Sequence, residues 1–410
     1  MAGLTTFLAM AYITVVNPSI LAETGMDFGA VFVATCLAAA LGSTLMGVLG
    51  NYPIALAPGM GQNAFFAYGV VLGAGHSWQT ALGAVFISGV IFIIMSVLPV
   101  REWLINSIPR NLKLGISAGI GFFIGFIALR NAGIVVDNPA TFVSLGELTH
   151  FGPVACLLSF TLIAALSARK VVGAVIIGIL ATTIVAWLTG NAEFNGVFSI
   201  PPSPAPVLLE LDIASAFSYS MLTVILTFLL VDVFDTAGTL VAVSTRAGLV
   251  GDDGKLPRLG NALLSDSTAT TVGALAGTSS TTSFIESAAG VEAGGRTGLT
   301  AVVVGGLFIA CLFFAPLAQS IPSYATASAL LFVACLMVRG LADLDWDDLT
   351  ECAPAVVTAL AMPLSFSIAD GLGLGFLSYV AIKVMSGKAQ SCPAAVYVIA
   401  LVFALKFAFL

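Results

Sequence analysis

The run from Ala274 to Gly290 limits what the rest of this chain can be. It strings together Thr278, Ser279, Ser280, Thr281, Thr282 and Ser283, adds one acid, Glu286, and stands between long apolar segments. Such a stretch reads as broken backbone at membrane depth. An unpaired N–H or C=O in hydrocarbon costs several kcal/mol, so a break survives only where protein shields it or where it lines a polar cavity. A binding site is the natural reason for one. A counterpart near the amino terminus, Ala55 to Phe66, superimposes without gaps at an offset of 219 residues: Ala55-Leu56-Ala57 falls on Ala274-Leu275-Ala276, Asn63 on Thr282 and Phe65 on Phe284. Each copy is the third apolar element of its half. Paired interruptions in corresponding elements point to a transporter's midplane site; two unrelated glycine-rich helix contacts are the plainer alternative.

The chain has 410 residues, of which 59% are hydrophobic and 9% charged, with a mean hydropathy of +1.08. A soluble domain carries about 25% charged residues. A polytopic membrane protein is therefore expected, with spans of roughly 20 residues each. Apolar segments fall near 3–22, 30–50, 61–74, 78–100, 113–131, 152–168 and 171–190, and again near 218–245, 260–277, 283–293, 297–319, 322–340, 352–368 and 371–387. An odd number per half gives the two halves opposite orientations. The resulting division is a first inverted repeat over 1–190, an extracellular proline-rich linker over 191–217, a second repeat over 218–390, and an apolar segment, 391–410, that is either a surface helix or a further span.

Basic residues in short loops orient the chain. With the amino terminus in the cytoplasm, Arg101, Arg110, Lys113, Arg169, Lys170, Arg246, Lys255, Arg258, Arg296, Arg339, Lys383 and Lys388 all fall inside, while Arg130 falls outside and Lys406 lies in the last apolar segment. No basic n-region precedes the first apolar segment, so no signal peptide is read there. A net charge of −7 without basic clusters excludes nucleic acid as a partner. The cysteines at 36, 156, 311, 335, 352 and 392 are scattered singly and read as small hydrophobes. The Gly251-Asp252-Asp253-Gly254-Lys255 turn has neither Walker nor EF-hand spacing. The acidic stretch Asp343 to Asp348 reads as a cytoplasmic connector anchored by Trp346. No metal and no cofactor are expected.

Ionisable residues inside spans are costly and functional by default. Asp232, Asp235 and Glu286 are singled out. Asp232 and Asp235 are three apart and share a helix face. An unneutralised carboxylate there either takes up a proton or binds a group that donates to it, which is what a proton-coupled carrier of a hydrogen-bonding solute needs; local bonding to Thr236 or Thr239 is the alternative. Asn63 offers an amide that can donate and accept, or else caps the helix after the break. Phe65 and Phe284 could stack on a planar ring or simply pack, and Ser283 adds a hydroxyl beside Phe284.

The stretches Gly3 to Tyr12, Ala57 to Ala64, Phe234 to Leu240, Ile285 to Gly290 and Gly294 to Thr300 resemble the signature stretches of the AzgA-like purine permeases, within the nucleobase–ascorbate transporter superfamily. The likeness covers nearly the whole chain. It implies an all-α polytopic fold of fourteen segments in seven-plus-seven inverted repeats, with third and tenth segments part strand and part half-helix. A core domain (about 1–100 and 218–319) would move against a gate domain (about 101–190 and 320–390). The resemblance also implies a homodimer in the cytoplasmic membrane that imports purine bases with protons. By it, Glu286 holds the base's hydrogen-bonding edge, Asp232 and Asp235 are the eighth-segment acids, and Asn63 and Gly61 belong to the third-segment motif. The intact Ala57-Pro58-Gly59-Met60-Gly61 and Gly277-Thr278-Ser279-Ser280 stretches are more similar to the guanine/hypoxanthine branch than to the adenine branch.

The expected function is thus proton-coupled purine import, with Glu286, Asp232, Asn63, Gly61, Phe284, Ser283 and Phe65 at the base and Asp235, Asp232 or Glu286 carrying the proton. An anion carrier of the same architecture, using half-helix N-termini, is the rival that three site acids oppose. A channel wants a continuous polar pore, whereas polar residues here cluster at one depth, and no pattern of an intramembrane enzyme is present.

Overall fold

A computed structural model describes residues 1–98, 108–250 and 256–409. Arg101, Asp252, Asp253 and Lys255 lie outside the described residues. Fourteen segments follow one another: α1 (Ala2–Ala22), α2 (Phe28–Gly50), β1 (Leu56–Pro58) with α3 (Met60–Ala64, continuing as a π-helix over Phe65–Gly73), α4 (Trp78–Val97), α5 (Arg110–Asn131), α6 (Phe151–Ala168) and α7 (Ala174–Leu188) in the first half. A β-hairpin not foreseen from the sequence, β2 (Val135–Asn138) and β3 (Phe142–Leu145), joins α5 to α6. The second half runs α8 (Tyr219–Ala247), α9 (Leu259–Ala276), β4 (Thr281–Ser283) with α10 (Ser287–Glu292), α11 (Leu299–Gln319), α12 (Ser323–Asp343), α13 (Leu349–Ser365) and α14 (Ile368–Met385). Among the described residues nine helices are long and apolar enough to cross a membrane.

The segment ends follow ordinary local chemistry. Asp27 caps α2 by accepting the Ala30 N–H at 2.7 Å, and Asp348 caps α13 by accepting the Thr350 N–H at 2.8 Å. Gly248 and Gly277 end α8 and α9 in the left-handed conformation. At Gly277 a β-carbon would also collide with Val207, because the linker, far from being a free spacer, lies over the end of α9 and its Leu209 N–H donates to the Leu275 carbonyl at 2.9 Å. Within α1 the helix breaks at Ala11 and Tyr12, and Pro18 lies nearly two turns beyond.

One correction concerns the internal repeat. Each half has a strand followed by a half-helix, so β1 corresponds to β4 and α3 to α10. Ala274-Leu275-Ala276 ends α9 instead, which makes the gap-free superposition out of register. Asn63 is not the counterpart of Thr282, nor Phe65 of Phe284: Asn63 and Phe65 lie inside a half-helix, while Thr282 and Phe284 belong to a strand and the turn after it. The apolar segment near 391–410 is a helix, α15 (Ala394–Phe409), antiparallel to α14. Phe403 stacks on Phe376 and Lys406 pairs with Asp370 at 2.7 Å.

Packing sorts the segments into two groups. α1 to α4 pack with α8 to α11, and α5 to α7 pack with α12 to α14. Glycines make the closest contacts. At the start of α11 a β-carbon on Gly298 would run into the backbone of Gly47 in α2, and one on Gly115 of α5 would meet the Ala355 backbone of α13. Helices in lipid associate by this kind of close approach. Gly298→Ala is therefore expected to cost about 1–3 kcal/mol through overpacking and to lower the thermal unfolding midpoint of the detergent-purified protein. Gly306→Ala, further along the same helix with open space at its β-carbon, should leave the midpoint unchanged.

Candidate functional site

The two broken segments meet in one antiparallel pair, Leu56 opposite Ser283, Ala57 opposite Thr282 and Pro58 opposite Thr281. The pair extends at both ends: the Gly59 N–H donates to the Ser280 carbonyl at 2.9 Å and the Phe284 N–H to the Ala55 carbonyl at 3.0 Å. Side chains take up the outer groups. Ser43 Oγ lies 3.0 Å from both the N–H and the carbonyl of Leu56, and Ser287 Oγ accepts the Ala55 N–H at 3.0 Å. The first turns of α3 and α10 start where the strands end.

Glu286 precedes α10 directly, half-buried, and accepts a hydrogen bond from the Tyr12 hydroxyl. The break in α1 puts Tyr12 at this depth. Asp235 is exposed on α8 within electrostatic reach of Glu286. The same face of α8 stays open through Gly238 and Val241, and Ile285 beside Glu286 is exposed too. An acid at this depth is exposed only toward water, so Asp235 and Glu286 mark the wall of a cavity. It opens on the side of Arg246 and of Lys113, whose ammonium lies 5.7 Å from the Phe234 ring.

On the opposite side polar and aromatic side chains meet. There the Tyr68 hydroxyl, on the π-helical part of α3, donates to Glu23 Oε1 at 2.8 Å, and Asn131 Nδ2, at the end of α5, lies 3.0 Å from both Glu23 Oε1 and the Tyr68 oxygen. The ring of Phe366, after α13, packs edge-on against Tyr68, Phe123 and Phe126 and lies under the Arg130 guanidinium.

The remaining candidates are sealed. Asn63 is fully buried and accepts from the Ser279 hydroxyl; Gly59 occupies the cap position of α3, so Asn63 does not cap it. Phe65 packs on Phe228 with centroids 4.8 Å apart, and Phe284 is buried near the strand end. Gly61 faces Ile120 of α5, where a β-carbon would not fit, so it sits at the contact between the two helix groups. The Ser283 N–H reaches Thr236 Oγ1 at 3.4 Å. Asp232 is 2% exposed and bonded to Thr270 at 3.0 Å, behind the strands and away from the cavity.

Sequence reading passed over three residues. Asp266, in α9, is fully buried beside Thr236; Gln62 is 1% exposed with its amide toward Asp232; Tyr12 holds Glu286. Asp266 had a legible signal. It lies inside an apolar segment and four residues before a threonine, the spacing of Asp232 and Thr236.

Crossed half-segments, two inverted repeats and a cavity open on one side define a membrane transporter of the inverted-repeat class. The same fold is found in the transmembrane domain of the cyanobacterial bicarbonate transporter BicA (TM-score 0.70, 15% identity, covering 91% of this chain and 95% of that one). It is also found in the murine anion transporter Slc26a9 in its inward-facing state (TM-score 0.68, 10% identity, 95% and 68%). The chain belongs to the Permease family, Xan_ur_permease, whose sequence model matches residues 1–374. It is 47% identical to the adenine permease AdeP of Escherichia coli over 409 residues, covering 100% of this chain and 92% of that protein. To the guanine/hypoxanthine permease PbuG of Bacillus subtilis it is 47% identical over 421 residues, covering 100% and 95%. It is a transporter and not an enzyme.

The cavity makes a direct prediction. A cysteine placed at Gly238 should react with a water-soluble maleimide added from the Arg246 side, over the background of the native cysteines, whereas one placed at the buried Thr236 should not. Equal labelling at both positions would rule out the cavity described.

Proposed function

We propose that this chain imports purine nucleobases together with protons by alternating access, with guanine and hypoxanthine ahead of adenine. The observation that carries the reading is Glu286: a half-buried carboxylate at the strand crossing, facing the cavity, with the Tyr12 hydroxyl as its hydrogen-bond partner. A carboxylate accepts two parallel N–H bonds from a planar base as readily as from a guanidinium. Relatives named for adenine and for guanine/hypoxanthine supply the substrate class. Tyr12 yields its place when the base arrives, and Asn63, Gly61, Ser283, Phe65 and Phe284 shape the pocket from the two crossed segments. Asp232, Asp235 and Glu286 are the acids from which the coupling proton comes.

In this reading α1 to α4 with α8 to α11 form the core, and α5 to α7 with α12 to α14 form the gate. The bonds of Asn131 to Glu23 and Tyr68 then close the outer side between them. The protein sits in the cytoplasmic membrane as a homodimer with its amino terminus inside.

Uptake into reconstituted vesicles tests the substrate. Radiolabelled hypoxanthine should be displaced by guanine, less well by adenine, and not by uracil or sulfate; displacement by sulfate alone would make the protein an anion carrier. Glu286→Gln presents a donor where the base also donates. A mismatched buried polar group costs about 1–3 kcal/mol, so purine binding should weaken by about fivefold to a hundredfold while the variant remains folded in the membrane. For the moving parts, a Glu23→Cys, Asn131→Cys double variant bridged by a short bifunctional thiol reagent should stop uptake, and cleavage of the bridge should restore it. Unchanged uptake in the bridged protein would remove this contact from the transport cycle.

A further inference from the structure

Behind the crossed strands α8 and α9 run antiparallel, and each carries an aspartate followed four residues on by a threonine: Asp232 and Thr236, Asp266 and Thr270. Each threonine serves the acid of the other helix. Thr270 Oγ1 lies 3.0 Å from Asp232 Oδ2, and Thr236 Oγ1 lies 2.8 Å from Asp266 Oδ2. Both threonines also hold β4. Thr270 Oγ1 is 2.8 Å from the Thr281 carbonyl and accepts the Thr281 N–H at 3.1 Å; Thr236 Oγ1 is 2.9 Å from the Thr282 hydroxyl.

Counting donors locates a hydrogen. A threonine hydroxyl has one to give. At Thr236 it goes to Asp266, and Thr282 supplies its own hydrogen to Thr236, so an ionised Asp266 is satisfied. At Thr270 two acceptors compete for the single hydrogen. Once it serves the Thr281 carbonyl, the approach of Asp232 is favourable only if Asp232 itself carries a hydrogen and donates it to the second lone pair of Thr270.

The surroundings also oppose two charges. Asp266 is 0% and Asp232 2% exposed, and the ion pairs among the described residues lie elsewhere. Sealing an ion without a partner costs several kcal/mol. α2 and α4, which pack on α9, bring no acidic or basic side chain. On the other flank Asp235 and Glu286 add negative charge, the Tyr12 hydroxyl is committed to Glu286, and Lys113 of α5 stands over Phe234. The Gln62 amide is the one neutral side chain besides the threonines that reaches Asp232, and it brings no cation to the pair.

We propose that Asp232 and Asp266 together hold one proton, on Asp232 Oδ2 in this conformation, and that its binding and release drive uptake. The inference rests on the proton-coupled purine importer proposed above and names its proton site. When the proton leaves, the pair goes from one negative charge to two. The Thr270 hydrogen then turns from the Thr281 carbonyl to Asp232, and β4 loses a side-chain bond a few residues before Glu286. The acid behind the strands thereby speaks to the acid that faces the base.

Vesicles loaded with purine separate exchange from accumulation. Asp232→Asn, Asp266→Asn and Thr270→Val should each exchange internal for external hypoxanthine, yet lose accumulation under an imposed pH gradient by about tenfold or more, since a proton drives uptake only through a group whose affinity differs between states. Asp232→Glu should recover part of the accumulation. In infrared spectra of wild-type protein labelled with carbon-13 aspartate, a protonated-carboxyl band should shift with the label and vanish in Asp232→Asn. Gradient-driven accumulation at the wild-type level in both Asn variants, or a protonated-carboxyl band insensitive to the label, overturns the proposal. A wild-type protein that ignores the pH gradient instead overturns the proton-coupled reading beneath it.

Discussion

Two segments of this chain break where no water is at hand, and each is completed by the other. Three residues of β1 and three of β4 exchange the main-chain bonds that a helix would have kept to itself. Neither break is tolerable alone, because an orphaned N–H or C=O at this depth costs several kcal/mol. The halves of the protein are thus joined at the backbone before any side chain contributes. Ser43 and Ser287 finish the accounting at the outer groups, and two half-helices begin where the strands end. The position of Glu286 follows from this joint.

The joint also divides polar residues into two populations. On the cavity side Asp235 is exposed and Glu286 half-buried. On the far side Asp232, Asp266, Thr236 and Thr270 are closed off and bonded to one another and to β4. The chain therefore keeps acids of two kinds within a short distance, one kind accessible and the other enclosed by hydroxyls, main chain and the Gln62 amide.

Much of this was legible in the sequence. Apolar run lengths located the fourteen segments to within a few residues at most ends, because span length is set by the bilayer and not by sequence detail. The hydroxyl-rich run and Ala55 to Phe66 were recognisable as breaks for the same reason. The register between them was not: in so apolar a chain three identical residues match anywhere, and strand pairing depends on contacts between distant parts. The hairpin of Val135 to Leu145 lacked any strong alternation, and Asp266 was overlooked although its spacing to Thr270 repeats that of Asp232 to Thr236. Which acid faces the cavity is a matter of helix rotation, fixed by packing on α4, α9 and β4, and a shared face at three residues' separation did not distinguish Asp232 from Asp235.

The contact among Glu23, Tyr68 and Asn131 differs in kind from the glycine seams at Gly47 and Gly115. Parting a glycine seam would strip two backbones of the dense dispersion contact that holds them, with nothing to replace it inside lipid. The three polar side chains lose far less when they separate, since water takes over each hydrogen bond and the net loss is about 0.5–1.5 kcal/mol apiece. The apolar part of this contact is confined to the Phe366 ring packed on Tyr68 beside it. The glycine seams lie within each helix group, Gly47 against Gly298 and Gly115 against Ala355, whereas the polar contact joins one group to the other.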